Sequence, residues 1–136
     1  VLAAQACLPA MRAARFGRIV NVASRAALGK ELRTSYAASK AGLIGLTRTW
    51  ALELARDGVT VNAVAPGPIA TELFRRANPD DSPRTRAIVE GVPVGRVGTP
   101  EDVAHAAASF LDDRAGFVTG QVLYVCGGLT VGLAPV

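Results

Sequence analysis

Apolar positions along this chain fall into two kinds of run. Short, nearly continuous blocks rich in β-branched residues occupy 18–23, 59–65 and 120–126, and suit strands buried on both faces of a parallel sheet. Between them lie longer stretches, at 1–14, 35–56 and from Thr99 to Leu111, that suit helices. The first is alanine-rich, with Leu2, Ala6, Met11 and Ala14 among its apolar positions, a place for a kink at Pro9 and an end at Phe16-Gly17. The second has Thr34 or Ser35 as its cap, bulk at Leu43, Leu46, Trp50 and Leu54, and Gly58 as its stop. It also carries a small-residue stripe of Ala38, Ala41, Gly42 and Gly45. Internal glycines cost a helix roughly 1 kcal/mol each against alanine, so Gly42 and Gly45 predict close approach by another backbone. The third opens on Thr99-Pro100-Glu101-Asp102, a capping side chain, a proline at the first helical position and acids in the first turn. Val103, Ala107 and Leu111 are its predicted buried stripe, and His105 falls off it, as a surface residue.

Strand, crossover helix and strand within residues 18–65 make a βαβ unit with parallel strands. Ligands in open α/β sheets bind just outside the carboxyl ends of strands, so Ser24 after the first strand, Pro66-Gly67 after the second and the start of the intervening helix converge on one rim. The polar loop from Arg25 to Arg33 is longer than a routine strand-to-helix connection, which marks it as part of a site. Residues 68–98 hold four of the eight prolines, a charged middle and no clean strand. They read as a mobile lid with short helices near 70–77 and 83–90. The third strand ends at Gly127-Gly128, with a loose tail beyond. No repeat or domain boundary divides the chain.

Composition narrows the classes of function. The chain has 136 residues, half of them apolar, enough for one domain with a moderate core. No apolar run reaches the ~18 residues of a membrane span and no leader pattern opens the sequence, so a soluble, cytoplasmic protein is expected. Cys7 and Cys126 are far apart with no others to form a framework, which predicts reduced buried thiols, and one histidine with two scattered cysteines offers little for a metal. The net charge of +4 comes from dispersed arginines without a basic block or aromatic platform, which argues against nucleic acid. Arg75, Arg76, Arg84 and Arg86 read as solvated, with an anionic substrate tail as the lesser alternative. The opening residues resemble the middle of a helix, so a piece of a longer protein is expected.

The candidate chemistry centres on Tyr36 and Lys40. Four residues apart on a helix, they share one face about one turn apart. A phenol ordinarily titrates near ~10 and a neighbouring positive charge lowers that value, so such a pair serves as proton donor and acceptor near neutrality. Interconversion of a carbonyl and an alcohol requires such a group. Alone, the pair reads as a solvated helix face, and its neighbours decide.

Asn21-Val22-Ala23-Ser24, Tyr36-Ala37-Ala38-Ser39-Lys40-Ala41-Gly42, Val61-Asn62-Ala63-Val64-Ala65-Pro66-Gly67 and Phe117-Val118-Thr119-Gly120-Gln121, in this order, closely resemble the short-chain dehydrogenase/reductase family. The resemblance runs from about Ala3 to Gly128. It is to the single-domain branch that includes 3-oxoacyl thioester reductases and glucose or alcohol dehydrogenases. It implies an α/β fold, the carboxyl-terminal half of a doubly wound Rossmann-like parallel sheet with three strands and flanking helices, with NAD or NADP as cofactor. By this resemblance Tyr36 is the acid/base, Lys40 tunes it and holds the nicotinamide ribose, and Ser24 orients the reacting oxygen, roles each consistent with the group's own chemistry. Pro66, Gly67, Ile69 and Thr71 match the loop that meets the nicotinamide, with a helix cap as the competing reading of Thr71 and a plain loop hydroxyl as that of Ser24. A homotetramer is also implied, with 1–14 and 35–56 packing across one axis and the final helix and strand across another.

The sequence departs from the family at several points. Cys126 stands where an aspartate usually precedes the final Gly-Gly, and Ser24 to Tyr36 is one residue shorter than the commonest spacing. No Gly-x-Gly occurs, so the glycine-rich pyrophosphate turn is missing, as are the residue that selects NAD or NADP and the asparagine expected just upstream of Val1. The alternative expectation is a catalytically inert, truncated or oligomerising scaffold, because three strands of a parallel sheet leave an apolar edge open.

Overall fold

In the computed structural model of the protein, residues 1–132 are described. The helices are α1 (Leu2–Ala14), α2 (Thr34–Leu54), α3 (Glu72–Ala77), α4 (Pro83–Glu90) and α5 (Pro100–Leu111), and the strands β1 (Gly17–Val22), β2 (Val59–Pro66) and β3 (Val122–Val125). The sheet order is β1-β2-β3 and both pairings are parallel, with Gly17 opposite Val59 and Ala63 opposite Val122. This is the expected α/β arrangement of three parallel strands between helices.

β2 is the centre of the molecule, and all but its last residue are buried. Its alternate residues serve two layers, as the two-residue repeat of a strand requires. Val59 and Val61 pack with Ala51, Leu54 and Trp50 of α2 and Leu8 and Met11 of α1, while Ala63 and Ala65 meet Ala23 and Ile44. On the opposite face Val64 packs with Ala106 and Phe110 of α5. Covered on both faces, β2 needs apolar side chains throughout.

β1 begins one residue earlier than predicted and is only partly buried, Gly17 alone being fully so. It pairs on one side only, at the edge of the described sheet, so the expectation of burial on both faces fails there. β3 is shorter than predicted, because the Gln121 N–H is drawn to Oδ1 of Asn62 (3.0 Å). Gly120 and Gln121 still bond the backbone of β2, at Val61 and Ala63. Residues 129–132 form turns, and 133–136 of the predicted tail lie outside the described residues.

Three helix details also differ. Thr34 is the first residue of α2, and Arg33 occupies the cap position without a side-chain hydrogen bond, so neither predicted hydroxyl caps the helix. Gly42 and Gly45 are exposed, and a Cβ on either would meet nothing within 4 Å, so no other backbone among the described residues approaches them. The buried side of α2 is instead Thr47, Ala51 and Leu54, with Ile44 packed beside Ala63. On α5 the buried residues are Ala106 and Phe110, with Leu111 left half exposed, because the larger aromatic ring turns toward Val64. His105 is exposed, as expected. Cys126 is buried as predicted, whereas Cys7 is exposed on α1, none of whose residues is fully buried among the described residues. Gly58 ends α2 and its following 3-10 turn with φ 76°, and a Cβ there would lie 2.0 Å from the Arg15 carbonyl oxygen, so glycine is required where α1 and β2 pass each other.

The start of α5 is as the sequence predicts, with Thr99 capping and Pro100 first in the helix, and Asp102 also accepts from the Thr99 N–H, which completes a capping box. Arg96 adds a two-point ion pair to the same carboxylate (2.7 and 3.2 Å). The Arg96 guanidinium, and after it the Thr99 N–H, lower the Asp102 carboxyl to about 2. The folded state therefore binds this proton less readily than the unfolded chain. The stability it contributes is complete above the ordinary carboxylate value of 3.8 and is lost as pH falls toward about 2. In acid titrations of Tm, Asp102→Asn is expected to start lower than wild type at pH 6 and to converge with it near pH 2. Curves that stay parallel throughout would contradict this.

Candidate active site

Each candidate residue is placed by a different element. β1 ends at Val22, the Ala23 N–H bonds the Val64 carbonyl (2.8 Å), and the chain then leaves the sheet. Ser24 follows in extended conformation, and its Oγ accepts from the Ala26 N–H (3.1 Å), capping a 3-10 turn over Arg25–Leu28. The predicted polar loop thus contains an ordered turn. The Ser24 hydroxyl hydrogen stays free to donate, since the capping bond uses only a lone pair.

Tyr36 lies in the first turn of α2 and is 44% exposed, and its phenol oxygen has no hydrogen-bond partner among the described residues. Lys40 lies one turn on, with Nζ 5.7 Å from the centre of the Tyr36 ring. Nζ donates to the Val22 carbonyl oxygen (2.8 Å), which ties the ammonium to the end of β1 and leaves two of its hydrogens available.

Beyond β2, the Gly67 N–H bonds the Val125 carbonyl (2.9 Å), and a Cβ on Gly67 would come within 2.8 Å of Cys126 Cβ. Only glycine lets the exits of β2 and β3 lie this close. Ile69 forms a parallel bridge with Gly98, made by the Pro68 carbonyl and the Ala70 N–H. Both groups point at Gly98, so the Ile69 N–H points the other way, and it has no acceptor among the described residues. The Thr71 Oγ1 accepts from the Phe74 N–H (3.2 Å), capping α3, so the competing reading of Thr71 describes one of its contacts.

Ser24, Tyr36, Pro66, Gly67, Ile69 and Thr71 all line one cavity of about 600 Å³. Lys40 does not line it and stands beside Tyr36 instead. Leu73 and Phe74 of α3 and Ala87 and Ile88 of α4 supply an apolar wall. A second cavity of about 300 Å³, lined by Val92, Arg96, Tyr124 and Cys126 among others, holds none of the candidate residues.

Of Arg75, Arg76, Arg84 and Arg86, only Arg84 lines the larger cavity, and Arg76 pairs with Glu72 one turn away. The sequence reading missed Arg25, Lys30 and Arg33, which also line it. Their signal was the basic content of the long loop just before Tyr36. It also missed Asn78, a buried lining residue whose Nδ2 donates to the Phe74 carbonyl while Oδ1 has no partner among the described residues.

Comparison with known proteins adds a family match, two curated relatives and one solved structure. The family profile described as enoyl-(acyl carrier protein) reductase matches residues 1–130. A (2S)-[(R)-hydroxy(phenyl)methyl]succinyl-CoA dehydrogenase subunit, BbsD, of Thauera aromatica is 48% identical over 84% of this chain and 45% of its own length. The 3-oxoacyl-[acyl-carrier-protein] reductase FabG of Rickettsia conorii is 44% identical over 85% of this chain and 47% of its own. Among solved structures, a gluconate 5-dehydrogenase from Burkholderia cenocepacia, in complex with NADP and tartrate, superposes with a TM-score of 0.88 at 34% identity, covering 96% of this chain and 51% of that one. The chain thus spans about half the length of the curated relatives it matches.

Proposed function

The chain belongs to the short-chain dehydrogenase/reductase family, and from that premise we propose that it is the carboxyl-terminal half of an NAD(P)-dependent oxidoreductase acting on a carbonyl or secondary alcohol. The observation that carries this reading is the meeting of Ser24, Tyr36 and the Pro66–Thr71 segment on one cavity, with the Lys40 ammonium beside the Tyr36 ring.

The donors present fit the nicotinamide end of such a cofactor. The outward Ile69 N–H and the Thr71 hydroxyl hydrogen suit a carboxamide, and the two free hydrogens of Lys40 suit ribose hydroxyls. When bound, the nicotinamide supplies or takes up the hydride. Tyr36 gives its phenol proton to the substrate oxygen in reduction and recovers one in oxidation. Ser24 donates a hydrogen bond to the same oxygen, and Lys40 stabilises the negative charge left on the phenol oxygen. Residues 68–98 act as the lid, with α3 and α4 excluding water from the reacting carbon. The complete protein works in the cytoplasm as a homotetramer, in which the open face of Gly42 and Gly45 on α2 is covered by a partner subunit.

Ser24→Ala is expected to lower kcat/KM about a hundredfold, the loss typical when one donor to a reacting oxygen is removed. Ser24→Thr should restore part of it, because both the hydroxyl and the cap on Ala26 return. The reading as a whole is tested by assaying the full-length parent chain with both nicotinamides against a panel of ketones, sugars and acyl thioesters. Turnover of none would remove it.

A second reading concerns the 136-residue chain alone. Val22 on β1 is 54% exposed, Leu123 on β3 42%, and Phe117 fully so, which favours association over catalysis when the chain stands by itself. Calorimetric titration of the isolated chain with NADH and NADPH separates the two: stoichiometric binding would exclude an inert scaffold.

A further inference from the structure

We infer that the substrate carries an anionic group, a carboxylate or a phosphate, which Arg25, Lys30, Arg33 and Arg84 receive at the cavity that Ser24 and Tyr36 line. This rests on the reading of that cavity as the site of an oxidoreductase and adds the class of molecule it takes.

Four observations support it. The four cationic residues all line the cavity, and none of the chain's 11 acidic residues does. Each of the four lacks an ion-pair partner among the described residues, as do Arg48, Arg56, Arg75 and Arg86, but only these four cations line the cavity. The cations come from two separate segments, the 25–33 loop and α4, so their meeting is a product of the fold. Finally, Arg33 takes the cap position of the 21-residue α2 without capping it, and the positive end of that helix adds to the same field.

Like charges gathered without partners repel one another, and the arrangement is stabilised when an anion arrives. A cleft lined by one sign of charge also concentrates ligands of the opposite sign. Glu31, Glu72 and Glu90 are near in sequence to lining residues but are not among them, so no carboxylate side chain of the described residues plays this part at the cavity. In the same cavity Leu73, Phe74, Ala87 and Ile88 make an apolar wall. The ligand that matches both has a reacting carbonyl or alcohol near Tyr36, a hydrocarbon portion along α3 and α4, and an anionic end toward the 25–33 loop.

The test uses the full-length parent chain and two matched pairs of probes. Levulinate against methyl levulinate reports a carboxylate, and acetoacetyl-coenzyme A against acetoacetyl-N-acetylcysteamine reports a phosphate. In at least one pair the anionic member is expected to have a kcat/KM at least tenfold higher, about 1.4 kcal/mol, at low ionic strength. The ratio should shrink in 0.5 M NaCl, where charges are screened over a few ångströms. In the triple variant Lys30→Gln, Arg33→Gln, Arg84→Gln the ratio should fall toward one, while Arg56→Gln, exposed in the turn after α2 and outside the cavity lining, should leave it as in wild type. Ratios within twofold in both pairs, or a preference the triple variant keeps, would overturn the inference. Turnover of the neutral probes would leave the oxidoreductase reading standing in that event. Should no probe turn over, the wider panel of ketones, sugars and acyl thioesters decides the oxidoreductase reading, and calorimetry with levulinate and coenzyme A decides the anion site separately: salt-sensitive binding lost in the triple variant supports it, and no binding overturns it.

Discussion

Tyr36→Phe in the full-length parent chain is expected to reduce kcat by about 10²- to 10⁴-fold, the range that general acid–base catalysis commonly supplies. The change removes a single oxygen. That oxygen makes no hydrogen bond to the described residues, and the ring is 44% exposed, so folding and cofactor binding should change little. The loss should therefore appear in kcat and kcat/KM together, with KM nearly constant, as for an interaction made only in the transition state. Lys40→Met should be a different kind of variant. Its ammonium also bonds the Val22 carbonyl (2.8 Å), so its removal should weaken nicotinamide binding and slow the reaction at once. Tyr36→Phe retaining more than a tenth of wild-type kcat would remove the proton-transfer role and leave Tyr36 as a wall of the cavity.

The residues that identified this site were readable because their signals are local or fixed by the topology. The Thr99 cap and the Pro100-Glu101-Asp102 turn after it are four consecutive residues, and the sequence predicted that helix start correctly. The rim shared by Ser24, Tyr36 and Gly67 follows from parallel strands joined by a crossover, since both strands then end at the same side. What could not be read depends on how helices roll and on which segments meet. Phe110 and Leu111 are adjacent and both apolar, and only the position of Val64 decides that Phe110 turns inward. Gly42 and Gly45 suggested a neighbouring backbone, yet among the described residues the space beside them is open. The cationic lining was hidden for the same reason: Arg84 is far in sequence from Arg25 and Arg33, and α3 and α4 have to fold over before they share a cavity.

Asn62→Ala is expected to destabilise the protein by about 2–4 kcal/mol, although the residue touches no candidate catalytic group. Asn62 is fully buried in β2, where an apolar side chain would be the ordinary choice. Its Nδ2 donates to the Val118 carbonyl (2.8 Å) and its Oδ1 accepts from the Gln121 N–H (3.0 Å). Beside it, the Thr119 Oγ1 accepts from the Val61 N–H (3.0 Å). The lead-in to β3 is therefore held to β2 partly by side chains, which take the place of ladder bonds that the strand does not make. Truncation would leave one donor and one acceptor of the main chain without their partners, at a cost of about 1–3 kcal/mol for each group that stays buried. Asn62→Leu is informative because it restores volume without polar groups and should recover little. Asn62→Asp should be worse than either, since it puts a buried carboxylate oxygen against the Val118 carbonyl. The effect should extend to the site, because β3 leads to Cys126, against which Gly67 packs. Loosening that contact should raise the KM for nicotinamide more than it lowers kcat. Chemical denaturation of the parent chain measures the first part, and a loss below about 1 kcal/mol for Asn62→Ala would mean that water satisfies both groups and that the side chain is not what holds β3 in register.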